Sequence, residues 1–331
     1  MSAIRILSGM RPTGRMHLGN YVGALENWVK LQHENESFHM VADWHMLTTG
    51  YEDIGKLKQD TMDMVTDWLA AGLDPKATPI FRQSRIKEHA ELHLLFSMLV
   101  TKARLERNPS LKEQARDLHI EEQTITYGHL GYPVLQAADI LIYKANLVPV
   151  GEDQVPHVEL TREIARRFNY LYCPDKPVFP EPEARLTAFP RLRGLDGNRM
   201  SKSVGNTIHL TDSEDEIRTK MRSAYTDPEK VRADSPGHPE GCVVHEYHRV
   251  FNPGGAEAVA TLCRAGQLGC AKDKGDLTKI LADALAPIRE RYHEIQSKPG
   301  YVEDVLQDGE ARARKVAQAT MDEVREAMNL P

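Results

Sequence analysis

Short apolar runs alternate with amphipathic stretches through the first half of this chain. Residues 3–7, 38–45, 79–84 and 147–154 each read as a buried strand, the second and fourth ending in polar residues. Between them the apolar positions move to helical spacing. Val22, Leu25, Trp28 and Val29 mark one face of a helix over 21–34. Ile54, Leu57, Met64, Val65, Trp68 and Leu69 mark a second, closed by Gly72 and Pro75. Further helices are expected over 87–102, 131–145 and 155–169.

Strands alternating with helices predict a parallel sheet covered on both faces. Ligands of such sheets sit beyond the carboxyl ends of the strands. Residues 43–45 and 151–154 fall at those ends. After Cys173 the periodicity stops, and a stretch rich in Pro, Gly and basic residues reads as loop as far as Asn206. Helices are expected again over 214–225, 276–298 and 302–329. No internal repeat or low-complexity tract is present.

The fold class expected is α/β, a Rossmann-like parallel-sheet domain followed by a helical C-terminal domain. The divisions are 1–190, a loop over 191–210, and 211–331, with the last helix free to return onto the sheet domain.

Composition adds limits rather than direction. A chain of 331 residues supports one large or two medium domains. Its 41% hydrophobic, 27% charged and 6% aromatic residues are ordinary for a globular protein. It has no apolar run long enough for a membrane helix, and its first residues lack a signal-peptide core, so a cytoplasmic protein with no membrane partner is expected. A net charge of −6 does not advertise nucleic-acid binding, though a local basic face suffices for it. Four cysteines without a secretory context do not suggest a disulfide framework.

Two stretches carry candidate chemistry. The first is "RPTGRMHLGNYVGAL" from residue 11, a strand-to-helix loop. Such a loop offers unpaired N–H groups and the positive end of a helix dipole, which suit phosphate. Gly14 and Gly19 allow close approach, and His17 can donate a hydrogen bond. A plain turn with a surface histidine explains this stretch equally well. It is neither a dinucleotide fingerprint nor a Walker loop. The second stretch, "GNRMSKSVGN" over 197–206, sets Arg199 and Lys202 in a flexible Gly-flanked loop. Mobile cations that close on a polyphosphate stabilise charge growing on a leaving group. Alone, a basic loop is solvated surface; paired with the first stretch in an α/β chain, it indicates a nucleotide site.

Together these stretches resemble the two signatures of the class I aminoacyl-tRNA synthetases, a His-x-Gly-His motif and a Lys-Met-Ser-Lys-Ser loop. Here they stand as His17-Leu18-Gly19-Asn20 and Arg199-Met200-Ser201-Lys202-Ser203. Asn20 and Arg199 depart from the pattern, but asparagine still donates hydrogen bonds and arginine keeps the charge. "GNYVGALENWVKLQ", "YPVLQAADILIY" and "VPVGEDQVPHVELTREIARRFN" resemble the tryptophanyl branch over nearly the whole chain. The tyrosyl branch shares the pattern from Tyr132 to Asp139, and Gln136 stands where many tryptophanyl enzymes carry Met. That helix therefore leaves the amino acid open; the "GEDQ" turn with "HVELTR", and the "GNYVGAL" start, favour tryptophan. Two further readings are a small-molecule nucleotidyltransferase and a non-catalytic synthetase-like paralogue that binds RNA or protein.

The resemblance implies a two-step reaction. L-tryptophan attacks the α-phosphate of ATP, pyrophosphate leaves, and the tryptophanyl group passes to tRNA(Trp). It implies catalytic roles for His17, Asn20, Arg199 and Lys202. It implies ATP contacts from Arg11, Pro12, Thr13, Gly19, Asn20, Gly151, Glu152, Asp153, Leu192, Arg199, Met200, Ser201, Lys202 and Ser203, with Leu192 near the adenine and Mg²⁺ on the phosphates. It implies an amino-acid pocket in which Asp139 accepts the indole N–H and Tyr132, Gln136 and Gln154 bind the α-amino group. Val148, Val150, His45 and Leu7 would surround the ring, although ordinary packing also explains the valines. It further implies a homodimer, and no DNA partner.

Cys242, Cys263 and Cys270 are spaced C-x20-C-x6-C, with Asp273 following. Some tryptophanyl enzymes have a fourth cysteine there and bind a [4Fe–4S] cluster. The resemblance therefore implies a degenerate version of that site, against which stands simple packing as small hydrophobes. Arg249, Arg264, Lys272, Lys274, Lys279 and the basic residues of 312–318 read either as tRNA contacts or as solvated helix faces.

Overall fold

A computed structural model describes residues 4–117, 120–186, 192–202 and 204–331. Five parallel strands are ordered β3-β2-β1-β4-β5. They are β1 (Arg5–Met10), β2 (Glu36–Val41), β3 (Ile80–Arg82), β4 (Leu147–Val150) and β5 (Glu183–Leu186). The helices of the first half are α1 (Leu18–Asn20), α2 (Glu26–Leu31), α3 (Asp43–Gly50), α4 (Leu57–Ala71), α5 (Glu88–Ser97), α6 (Lys102–Glu106), α7 (Pro109–Asp117), α8 (Tyr127–Ile142) and α9 (Val155–Tyr172). The second half adds α10 (Glu214–Arg222), α11 (Val243–Phe251), α12 (Ala256–Arg264), α13 (Cys270–Gln296) and α14 (Tyr301–Ala327).

Strand alternation divides the core between the two faces of the sheet. Phe38, Met40 and Phe81 join α5, α8 and α9 on one face. Val41 and Ile80 join Trp28, Trp68 and the second-half residues Ile217, Leu281 and Leu306 on the other. Trp68 is fully buried and meets Trp28 edge-on at 5.2 Å. Gly72 closes α4 at φ 110°, its N–H reaching Trp68 and Leu69, and the left-handed conformation there favours glycine.

The final helix lies along the sheet edge. A side chain at Gly309 would place its Cβ 1.9 Å from the Ile80 carbonyl oxygen, so α14 and β3 touch backbone to backbone. Arg82 of β3 ties the contact, bonding Glu303 at 2.8 Å and Glu310 at 2.5 Å.

Several expected elements differ. Residues 43–45 open α3 instead of ending a strand. Asp43 accepts the N–H of Trp44 at 3.0 Å and that of Ser84 at 2.9 Å, which turns the chain at Ala42. The helix expected over 87–102 ends early, α5 closing at Ser97, and a separate α6 starts at Lys102. β5 falls inside the expected loop; it is a mostly exposed edge strand of sequence EARL with no apolar alternation. α11 and α12 also fall where no helix is expected.

Candidate active site

In this strand order the sheet grows to one side of β1 through β2 and β3 and to the other through β4 and β5, and a crevice forms beyond the carboxyl ends of β1 and β4. A cavity of about 350 Å³ occupies it. Leu7 and Met10 of β1, Val148 and Val150 of β4, His45 of α3, and Tyr132, Gln136 and Asp139 of α8 line it, with Arg11, Gly151 and Gln154 at its loops. All residues expected in the amino-acid pocket are thus brought together.

Asp139 is 1% exposed and heavily partnered. Its Oδ2 meets His45 Nε2 at 2.7 Å, and its Oδ1 meets His89 Nδ1 at 2.6 Å. Gln83 Nε2 donates to both oxygens, at 2.7 and 2.9 Å. Burial pushes this carboxyl's pKa up, but the hydrogen bonds and charges of His45 and His89 outweigh it and hold it below the ordinary range. The acid is therefore a fixed, ionised acceptor. Gln83 and His89 are absent from the sequence-based set, since the chain separates them from Asp139 by 56 and 50 residues.

The Tyr132 hydroxyl meets His157 Nε2 at 2.8 Å, and His157 Nδ1 meets Asn108 Nδ2 at 3.1 Å. Neither His157 nor Asn108 was expected at the site. The Asn-Pro-Ser start of α7 is a helix-opening pattern that gives Asn108 a place but no partner.

The two signature stretches lie side by side. His17 caps α1: its Nδ1 accepts the Asn20 N–H at 3.3 Å, while its own N–H donates to Asn20 Oδ1 at 3.3 Å. Asn20 thus completes a capping box, and the imidazole proton resides on Nε2. Burial, then the charges of Lys202 and His209, lower the His17 pKa to about 4, so the ring is neutral near pH 7. Leu18 N–H donates to Ile208 O at 2.9 Å and Leu210 N–H to Met16 O at 3.1 Å, pinning the chain beyond the second stretch against the first. Lys202 Nζ donates to Thr13 O at 2.6 Å. Met200 lies over Gly19, where a Cβ would stand 2.7 Å from its sulfur.

Arg11 connects the loops to the cavity. Burial lowers its pKa, Tyr132 raises it, and Arg199 lowers it further. Arg199 accepts from Asn206 through its carbonyl, and Ser201 N–H donates to Asn206 Oδ1 at 2.8 Å. Pro12 is buried, and Glu152 and Asp153 sit in a short turn after β4. Leu192 packs into the core cluster rather than lining the cavity. Ser203 lies outside the described residues.

Cys242, Cys263, Cys270 and Asp273 share one neighbourhood, close enough to perturb one another electrostatically. They do not form a metal site. Among the described residues no group of three or more His, Cys, Asp or Glu side chains is arranged to hold a metal ion. Asp273 Oδ1 is engaged by buried His248 Nε2 at 2.9 Å, and burial pushes the Cys242 and Cys263 thiols up, away from thiolate. These residues do not fit an iron–sulfur cluster. Of the basic residues named above, Arg312 donates to Pro75 O at 2.6 Å, and Arg264 forms an exposed ion pair with Glu240 at 2.6 Å.

A family model described as tRNA synthetases class I (W and Y) matches residues 1–286. The chain belongs to this family. It is 56% identical to the tryptophan–tRNA ligase of Thermotoga maritima over 330 residues, 99% of each chain. It is 43% identical to that of Aquifex aeolicus, covering 99% of this chain and 100% of the relative. The structure superposes on the tryptophanyl-tRNA synthetase of Campylobacter jejuni, solved with ADP and tryptophan, with a TM-score of 0.87, 32% identity, and 99% and 100% of the two chains covered. Among the described residues no helix is long and apolar enough to cross a membrane.

Proposed function

We propose that this chain is a tryptophan–tRNA ligase. The observation that carries the reading is the buried Asp139 carboxylate on the cavity wall, fixed by His45, His89 and Gln83, together with the basic loop whose Lys202 ammonium is seated on Thr13. The named relatives support tryptophan over tyrosine as the amino acid.

The indole ring lies between Val148, Val150, Leu7 and His45, and its N–H donates to Asp139. His45 is the partner that yields, since its side chain is 12% exposed where that of His89 is 0%. A side chain without a donor that displaces His45 takes a partner from the buried carboxylate without replacing it and is rejected. Tyr132, Gln136 and Gln154 hold the α-amino group. The tryptophan carboxylate then attacks the α-phosphorus of ATP in line, and the bond to pyrophosphate breaks. No protein nucleophile takes part; positioning and charge stabilisation supply the rate. His17, neutral with its proton on Nε2, donates to a phosphate oxygen. Lys202 leaves the Thr13 carbonyl and, with Arg199, holds the departing pyrophosphate. Glu152 and Asp153 accept from the ribose hydroxyls, and Mg²⁺ enters as part of the ATP substrate.

In the second step the terminal ribose hydroxyl of tRNA(Trp) attacks the acyl carbon and AMP leaves. Activation belongs to residues 1–190, loop closure to 191–210 and anticodon recognition to 211–331, in a cytoplasmic homodimer, as the resemblance implies. The test is acid-precipitable label after incubation with ATP, labelled amino acid and tRNA. Tryptophan on tRNA(Trp) is expected. Label from tyrosine on tRNA(Tyr) would favour the tyrosyl alternative, and label from neither would favour the non-catalytic one.

A further inference from the structure

We propose that His157 and Asn108 are positioning residues for tryptophan, holding the Tyr132 hydroxyl so that one lone pair and its proton face the substrate. The inference rests on the functional reading above and extends it to two residues that do not line the cavity.

The argument follows donors and acceptors through a buried chain. His157 and Asn108 are both 0% exposed. Asn108 Oδ1 accepts the Ser110 N–H at 3.1 Å, which fixes the amide with its NH₂ toward His157. That NH₂ can only donate, so His157 Nδ1, at 3.1 Å, must accept. The ring proton is therefore on Nε2 and donates to the Tyr132 oxygen at 2.8 Å. Burial, with a contribution from His45, lowers the His157 pKa to about 4, against an opposing effect of Asp153, so the tautomer persists at neutral pH. The phenol, with one lone pair engaged, presents a defined remainder to the cavity.

The chain continues to the other side of the site. Ser110 Oγ donates to Asp153 O at 2.6 Å, and Gln154 Nε2 donates to Asp153 Oδ2 at 2.9 Å. Tyr132 and Gln154, both on the cavity wall, are thus tied to the same start of α7. A neutral imidazole is the fitting relay here, because an imidazolium would repel the substrate ammonium.

The test is ATP–pyrophosphate exchange with the full-length chain, varying tryptophan and ATP in turn. His157→Leu should raise KM for tryptophan about ten-fold, because the Tyr132 hydroxyl is then no longer held in place for its hydrogen bond to the charged substrate, with KM for ATP changed less than about two-fold. His157→Gln, whose amide also donates, should recover most of the loss. Tyr132→Phe alone should raise KM for tryptophan, and adding His157→Leu to it should change KM by less than about two-fold, since the histidine acts through the hydroxyl. If His157→Leu fails to fold, Asn108→Ala, which releases the tautomer from outside the cavity, should raise KM for tryptophan alone. An unchanged KM for tryptophan in the folded variants, or additive effects in the double variant, overturns the proposal. Loss of tryptophan dependence in the unsubstituted protein would instead overturn the functional reading, and this inference with it.

Discussion

Lys202 and Thr13 lie 189 residues apart in the chain and are joined by a 2.6 Å hydrogen bond from the lysine ammonium to the threonine carbonyl. The loop that supplies the cation is thus already seated on the strand-to-helix loop after β1. Asp60, Asp67 and Asp63 of α4 support the charge against the burial that lowers the lysine pKa. Passing from a carbonyl to a pyrophosphate costs little geometry and gains a stronger, charge-assisted partner. Lys202→Ala should lower kcat for activation by about 100- to 1,000-fold with little change in KM for tryptophan, as expected of a group that acts on developing charge. Steady-state exchange checks this.

Gly19 sets how closely that loop seats. A Cβ there would stand 2.7 Å from Met200 Sδ and 3.2 Å from the His17 ring. Gly19→Ala should therefore raise KM for ATP or lower kcat by about ten-fold, the cost of about 1.4 kcal/mol of displaced contact. Adding Met200→Ala should relieve much of it. A double variant as impaired as the single one would show that the loop does not close on Gly19.

Asp67 predicts a pH dependence of stability. It is fully buried beneath the His17 loop, its Oδ2 accepts the Met16 N–H at 2.5 Å, and its Oδ1 has no partner among the described residues. Burial raises its pKa to about 6, against the Met16 hydrogen bond. A raised folded-state pKa means stability fully present below the unfolded value near 4 and lost as pH rises through 6. Thermal melting of the native chain should show a loss of about 2–3 kcal/mol across that window. Asp67→Asn should flatten that part of the curve, and an unchanged profile would show that Asp67 does not titrate there.

The contact between α14 and β3 gives a stability prediction independent of chemistry. A Cβ on Gly309 would meet the Ile80 carbonyl oxygen at 1.9 Å, and backbone does not yield as a side chain does. Gly309→Ala should destabilise the fold by about 2–4 kcal/mol, by urea unfolding, with the helix pushed off the sheet edge. A change under about 0.5 kcal/mol would show that the close packing is not present.

The sequence made the middle of the sheet legible because β1, β2, β3 and β4 are apolar runs between amphipathic helices. It did not reveal β5, whose exposed EARL residues carry no burial signal, nor α11, whose Val243, Val244 and Tyr247 face the core within nine residues of a Pro- and Gly-rich stretch. Asp139 stood out because an acid within "LQAADILIY" needs a partner. Which partners it takes was not legible, because Gln83 and His89 reach it from other elements of the fold. The same holds for His157 and Asn108, whose relation is purely spatial.

The measurement that tests the central claim most directly is amino-acid-dependent ATP–pyrophosphate exchange over all twenty amino acids, with the native chain and with Asp139→Asn. The variant keeps the side chain's shape but replaces a fixed ionised acceptor by an amide. Exchange with tryptophan alone in the native chain, falling at least about 100-fold in the variant through KM for tryptophan, is the predicted result. Exchange driven by another amino acid, or tryptophan exchange unaffected by Asp139→Asn, would contradict the account.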